Sequence, residues 1–204
     1  MKEGIIMKKK FKQEYQFKIV LKYSKPPIWR RIHVPKTYTY WDLHVAIQDA
    51  MGWYDCHLHE FEVFNPSTDL VEAIGIPYKD FGREVLPGWK QKIESYFSMK
   101  NPEADYIYDF GDSWEHKIQL EKILPREKGV NYPVCIKGKR ACPPEDCGGI
   151  WGYEEFLEAI KDPTHEEHEE MLEWVGGEFD PEHFDINEIS FDDPDDRRRE
   201  INMP

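Results

Sequence analysis

Residues 15–53 read YQFKIVLKYSKPPIWRRIHVPKTYTYWDLHVAIQDAMGW, and changes of period within them decide the fold. Tyr15, Phe17, Ile19, Leu21 and Tyr23 alternate with mostly polar neighbours, the two-residue repeat of a half-buried strand. Ser24-Lys25-Pro26-Pro27 breaks it, because prolines cannot donate to a ladder. Alternation resumes over Ile28–Val34, with Ile28, Arg30, Ile32 and Val34 on one side, so the two runs predict a hairpin. Thr39 then stands where a helix N-cap belongs, ahead of Leu43, Ile47, Ala50 and Met51 on one helical stripe, and Gly52 ends the helix.

Working outward, LHEFEVF (58–64) alternates again and predicts a third strand. Residues 65–101 hold several Gly and Pro without a clear period, which predicts a long excursion with one short strand. Tyr106–Phe110 and Glu115–Leu124 flank Gly111-Asp112-Ser113 as a second hairpin. Two helices are predicted after a cysteine-containing loop. One spans 152–161, with Tyr153, Phe156, Leu157 and Ile160 facing in. The other spans 164–175, with Met171, Leu172 and Val175 facing in and Gly176-Gly177 as its stop. The expectation is an α+β fold, with a largely antiparallel or mixed sheet, an early ββαβ unit of β-grasp-like character and C-terminal helices. The organisation expected is a basic arm at 1–14, one domain at 15–190 and a mobile charged tail at 191–204.

Composition narrows the function classes. Of 204 residues, 40% are hydrophobic and 14% aromatic, enough for a packed core. No apolar run approaches the ~18–20 residues that span a bilayer, so no membrane is expected as a partner. The N-terminus MKEGIIMKKKFK lacks the apolar centre of an export signal, which points to the cytoplasm. Cys56, Cys135, Cys142 and Cys147 are too few for a disulfide scaffold and are expected as thiols there. The net charge of −13 is unevenly spread: residues 1–40 carry eleven Lys/Arg against two Glu, and residues 141–196 carry twenty Asp/Glu against one Lys. Only the first segment could displace counterions from phosphate, and the acidic C-terminal part argues against nucleic acid.

Three clusters carry candidate chemistry. In the second hairpin, Asp109, Asp112, Trp114 and His116 surround one turn. The two carboxylates suit acid–base work or oxygen ligation, and they equally suit turn chemistry, with Trp114 as a core plug. In His57-Leu-His59, a strand would point both imidazoles to one face, a spacing that metal binding and a surface pair share. Cys135-x6-Cys142-x4-Cys147 lacks the paired knuckles of a zinc ribbon. Its Pro143-Pro144 and Gly148-Gly149 nonetheless make a rigid loop that could hold thiolates around zinc, with His116 as fourth ligand and His57 and His59 as reserves. Inward-packed cysteines without metal are the plainer reading.

Longer strings resemble a known family. YDFGDSWEH (108–116), CIKGKRACPPEDCGG (135–149), Gly152-Tyr153 and FDPEHF (179–184) resemble the plasmid pRiA4b ORF-3-like family. So do PIWRR (27–31), Trp53 and HLHEF (57–61). The resemblance runs from about Tyr15 to about Ser190. It implies the α+β fold called MM3350-like in an uncharacterised, plasmid- or mobile-element-associated family, some members of which are labelled resolvases. The resolvase chemistry is not carried over, because serine recombinases need several catalytic Arg and a basic helical DNA-binding domain. No helix-turn-helix is visible, and Arg30-Arg31 is the one adjacent arginine pair in the globular part.

The leading expectation is therefore a binding or accessory protein for an unknown protein or small molecule. Its working surface is expected near Asp109, Asp112, Trp114, His116, Glu145 and Asp146. The alternatives are a metal-dependent hydrolase or nuclease-like enzyme using His57, His59, Asp109, Asp112 and His116, and a DNA-associated accessory protein of a mobile element. No cofactor is certain, and zinc or another divalent metal is the one considered.

Overall fold

The computed structural model describes residues 11–78 and 84–201. Most of the basic arm at 1–14 lies outside them. The chain begins with β1 (Gln13–Leu21) and β2 (Trp29–Pro35), the antiparallel hairpin that the alternation predicts, with Phe17 opposite Ile32. Tyr15, Phe17, Ile19 and Leu21 are buried, but Tyr23 is 65% exposed because the chain turns there with φ +66°. Ser24 closes that turn, accepting from Ile28 N and donating to Leu21 O.

Helix α1 (Tyr40–Met51) follows. Thr39 and Asp42 form a reciprocal capping box, and Gly52 ends the helix in the left-handed conformation that a side chain would resist. Beyond it come β3 (His59–Asn65), β4 (Leu70–Gly75), β5 (Val85–Pro87) and a 3-10 turn at Ile93–Ser95. The excursion thus holds two strands where the sequence predicts one. The second hairpin is β6 (Glu103–Tyr108) and β7 (Trp114–Pro125).

Strand β8 (Val134–Lys139) pairs with β2 and carries Cys135, so part of the predicted cysteine loop is a strand. The chain closes with α2 (Gly149–Lys161), α3 (His168–Trp174) and α4 (Pro194–Glu200). Helix α2 starts three residues earlier than predicted. Helix α3 is shorter at its start, because 162–167 is taken up by turns in which Asp162 accepts from Thr164 N.

The eight strands form one mixed sheet in the order β5-β4-β3-β6-β7-β1-β2-β8, with only β4–β5 parallel. This is an α+β fold. The early ββαβ unit is present in chain order, and the β6–β7 hairpin inserts between β1 and β3 in the sheet. The core contains Phe17, Ile19, Ile32, Leu43, Ile47, Phe61, Tyr106 and Ile118. Edge-to-face ring pairs such as Phe17–Phe97 at 4.8 Å hold the aromatic part. Each large side chain removed from water there contributes roughly 1.5–3 kcal/mol.

The C-terminal segment makes contacts that its sequence does not predict. Helix α1 buries the predicted stripe of Leu43, Ile47, Ala50 and Met51 and most of its other residues too, and Trp41 Nε1 donates to Pro194 O at 2.8 Å, so the C-terminal segment helps to cover it. That segment is therefore not a free tail. Asp193 caps α4, and Arg197 bonds Asp49 at 2.7 Å and Asp192 at 2.6 Å. Among the described residues, no helix is long and apolar enough to cross a membrane.

Candidate functional site

Three segments distant in sequence meet at one end of the sheet. They are the link from α1 to β3 (Trp53–Leu58), the β6–β7 turn (Asp109–Ser113) and the loop before α2 (Pro143–Gly148). Their mutual contacts are specific. Trp53 Nε1 donates to Pro143 O at 3.0 Å, and Tyr54 N donates to Glu145 Oε2 at 2.9 Å. Tyr108 receives Cys56 N at 3.0 Å and gives its own proton to Glu145 Oε1. Burial first, and then the Glu145 carboxylate, push the Tyr108 hydroxyl far up, so it stays a donor.

The β6–β7 turn is shaped for this meeting. Asp109 N donates to Leu58 O, and Asp109 Oδ1 accepts Gly111 N. Asp109 itself adopts φ +56°, a left-handed conformation that aspartate tolerates better than most residues. Asp112 accepts from Gly148 N at 3.0 Å. Gly149 lies so close that a Cβ would stand 2.3 Å from Asp112 O, so only glycine lets the two loops touch. The turn motif and the cysteine-loop motif are thus two sides of one junction.

At the centre, His57, Asp109 and Asp146 converge, with ligand atoms all within 4.8 Å of one another. His57 Nε2 lies 3.0 Å from Asp146 Oδ1 and 3.7 Å from Asp109 Oδ2. That buried nitrogen nevertheless forms a hydrogen bond of good geometry with neither. Asp146 is itself left-handed, with φ +60°, and its side chain is 70% exposed, so the cluster opens to solvent. Exposed Tyr54, Phe110 and Trp151 project from the same segments or just beyond them.

The other predicted residues are elsewhere. Trp114 and His116 are not on this surface: they are 1% and 0% exposed and lie in the core beneath it. His59 points into the interior, stacked on His44 with ring centroids 3.4 Å apart, so it is separated from His57 despite the shared strand reading. The link residues before β3 are not extended (Asp55 has φ +62°), and His57 lies outside the strand, so the two-residue alternation does not apply. Cys135 sits on β8, and Cys142 and Cys147 pack against the core. Burial raises all three thiols, Cys147 to about 12, where Asp112 adds to the effect. Among the described residues, neither converging set of potential ligands contains a cysteine.

Sequence reasoning missed a buried polar network beside the junction. His44 Nε2 bonds Asp55 Oδ1 at 2.7 Å, and His44 Nδ1 and Gln48 Nε2 both reach Tyr106 Oη at 2.8 Å. One assignment satisfies every bond: Nε2–H donates to Asp55, and Tyr106 donates to Nδ1 while accepting from Gln48. Two polar residues four apart on one face of α1, His44 and Gln48, were the available signal.

The family described as plasmid pRiA4b ORF-3-like protein matches residues 13–188. The chain belongs to this family. Among pRiA4b ORF-3-like proteins, the uncharacterized protein y4hQ of Sinorhizobium fredii is 38% identical over 162 residues, which is 79% of this chain and 80% of that protein. The crystal structure of MM3350 from Methanosarcina mazei Go1, titled a protein of unknown function, is 52% identical. It superposes with a TM-score of 0.84 and covers 89% of this chain and 100% of that one. These relatives carry titles without an activity, so the family fixes the fold and leaves function to the site.

Proposed function

We propose that this pRiA4b ORF-3-like chain is a binding protein, and that its working surface is an acidic cup at the three-loop junction that takes a cationic group. The observation that carries the reading is the convergence itself. Asp109, Asp112, Glu145 and Asp146 come together from two loops more than thirty residues apart. Among the described residues, no Lys or Arg ion-pairs with any of them. Uncompensated carboxylates in one place attract positive charge, and the exposed rings of Tyr54 and Phe110 add a surface that favours cations. The partner is a protein segment or small molecule bearing that charge.

The alternative of a metal-dependent hydrolase is favoured by one observation, the solvent-open set of His57, Asp109 and Asp146. The DNA-associated alternative gains less. Lys22 is paired with Asp105 and Glu115, and Arg31 with Glu121, so these basic residues are already neutralised.

A random dodecapeptide display library, panned in the presence of chelator, tests the reading. Enriched peptides should contain Lys or Arg. Their affinity should fall at least tenfold in the double variant Asp112→Asn/Asp146→Asn and hold in Glu166→Gln/Glu169→Gln, which lies in and beside α3. Peptides that bind both variants equally would contradict the acidic cup.

A further inference from the structure

We infer that the floor of the cup is a divalent-cation site formed by His57 Nε2 and one carboxylate oxygen each from Asp109 and Asp146. This rests on the proposed cup and names the cation that its centre selects. One imidazole and two carboxylates form a mixed nitrogen–oxygen donor set suited to Zn²⁺ or Mn²⁺, and less suited to the all-oxygen preference of Ca²⁺. Three donors from three loops leave further coordination positions toward solvent, where Asp146 is 70% exposed.

The geometry at His57 points to an ion and not to an ordinary ion pair. His57 Nε2 faces two carboxylates at 3.0 and 3.7 Å, yet it is buried and hydrogen-bonds neither. An ion between the three groups would satisfy that nitrogen and cancel the repulsion between Asp109 and Asp146. Within its turn Asp109 Oδ1 accepts from Gly111 N, which leaves Oδ2 to face the imidazole. The second set, His44, Asp55 and His59, is a poorer candidate. It is largely enclosed, Asp55 already faces Arg197 at 3.7 Å, and the histidine rings are stacked face to face.

The full chain, stripped with chelator and titrated calorimetrically with Zn²⁺ and separately with Mn²⁺, tests the assignment. One ion should bind per chain for at least one of the two metals. Affinity should fall at least tenfold in His57→Ala and in Asp146→Asn, the latter on a side chain too exposed to govern folding. His183→Ala, which removes another imidazole–carboxylate pair at 2.7 Å, should leave affinity unchanged. No binding of either metal, or binding lost in His59→Gln but kept in His57→Ala and Asp146→Asn, would overturn the site. If basic peptides still bind the cup in chelator while neither metal does, the metal assignment alone fails. If neither metals nor basic peptides bind, the cup itself fails.

Discussion

Replacing Trp114 by alanine should cost about 3–5 kcal/mol of folding stability, the range for emptying a buried indole site. Trp114 is 1% exposed at the start of β7, and Trp53 lies beside it with ring centroids 5.8 Å apart. Trp53 in turn stacks on Tyr108 at 5.1 Å and reaches Pro143 O. The cavity would therefore open directly under the loop junction. Trp114→Phe should cost less, because it keeps a ring in place. Urea unfolding of the three proteins measures the difference. An unchanged midpoint in Trp114→Ala would show that the indole does not support the core.

Acid should destabilise the fold through His116, which is fully buried. Its pKa is lowered to about 3, first by burial and then by the positive charge of Lys22, while its Nδ1 bond to the Trp114 carbonyl opposes the shift. Its surroundings include the rings of Trp53 and Tyr106. The unfolded chain binds a proton here near pH 6.5 and the folded chain does not, so stability is complete above that value. It falls by roughly 1.4 kcal/mol per pH unit as pH drops, and the loss ends near pH 3. Between pH 6.5 and 5, before most carboxylates titrate, the loss from this residue is about 2 kcal/mol. The loss of unfolding free energy between pH 6.5 and 5 should be smaller by that amount in His116→Gln. Equal losses would mean that His116 takes up its proton equally in both states.

The parts of the fold that follow from local chemistry were legible in the chain. Alternation placed β1 and β2, Thr39 and Gly52 bounded α1, and the Asp-Phe-Gly-Asp turn marked the β6–β7 hairpin. What the chain concealed depends on neighbours. Strand β8 escaped because its burial does not alternate, with Ile136 and Lys137 both exposed, and its pairing is supplied by β2 alone. The sequence 191–200 carries almost nothing but charge, yet Arg197 finds Asp49 in α1 and pins the segment. The same holds for the site. The turn and the cysteine-loop motif were visible separately, and their contact through Gly149 was not. Trp114 and His116 were placed with the functional surface because the turn motif includes them, but the strand directs both side chains inward. His57 and His59 were paired by a strand period that begins only at His59.

The central claim is that a cation sits where the three loops meet. Paramagnetic broadening of backbone amide signals by substoichiometric Mn²⁺ tests it most directly, since the effect falls steeply with distance from the ion. Signals of residues 54–58, 108–113 and 145–149 should broaden first and together, and those of the acidic stretch 166–173 should remain sharp. Broadening centred on 166–173, or spread evenly over the acidic surface, would contradict the account.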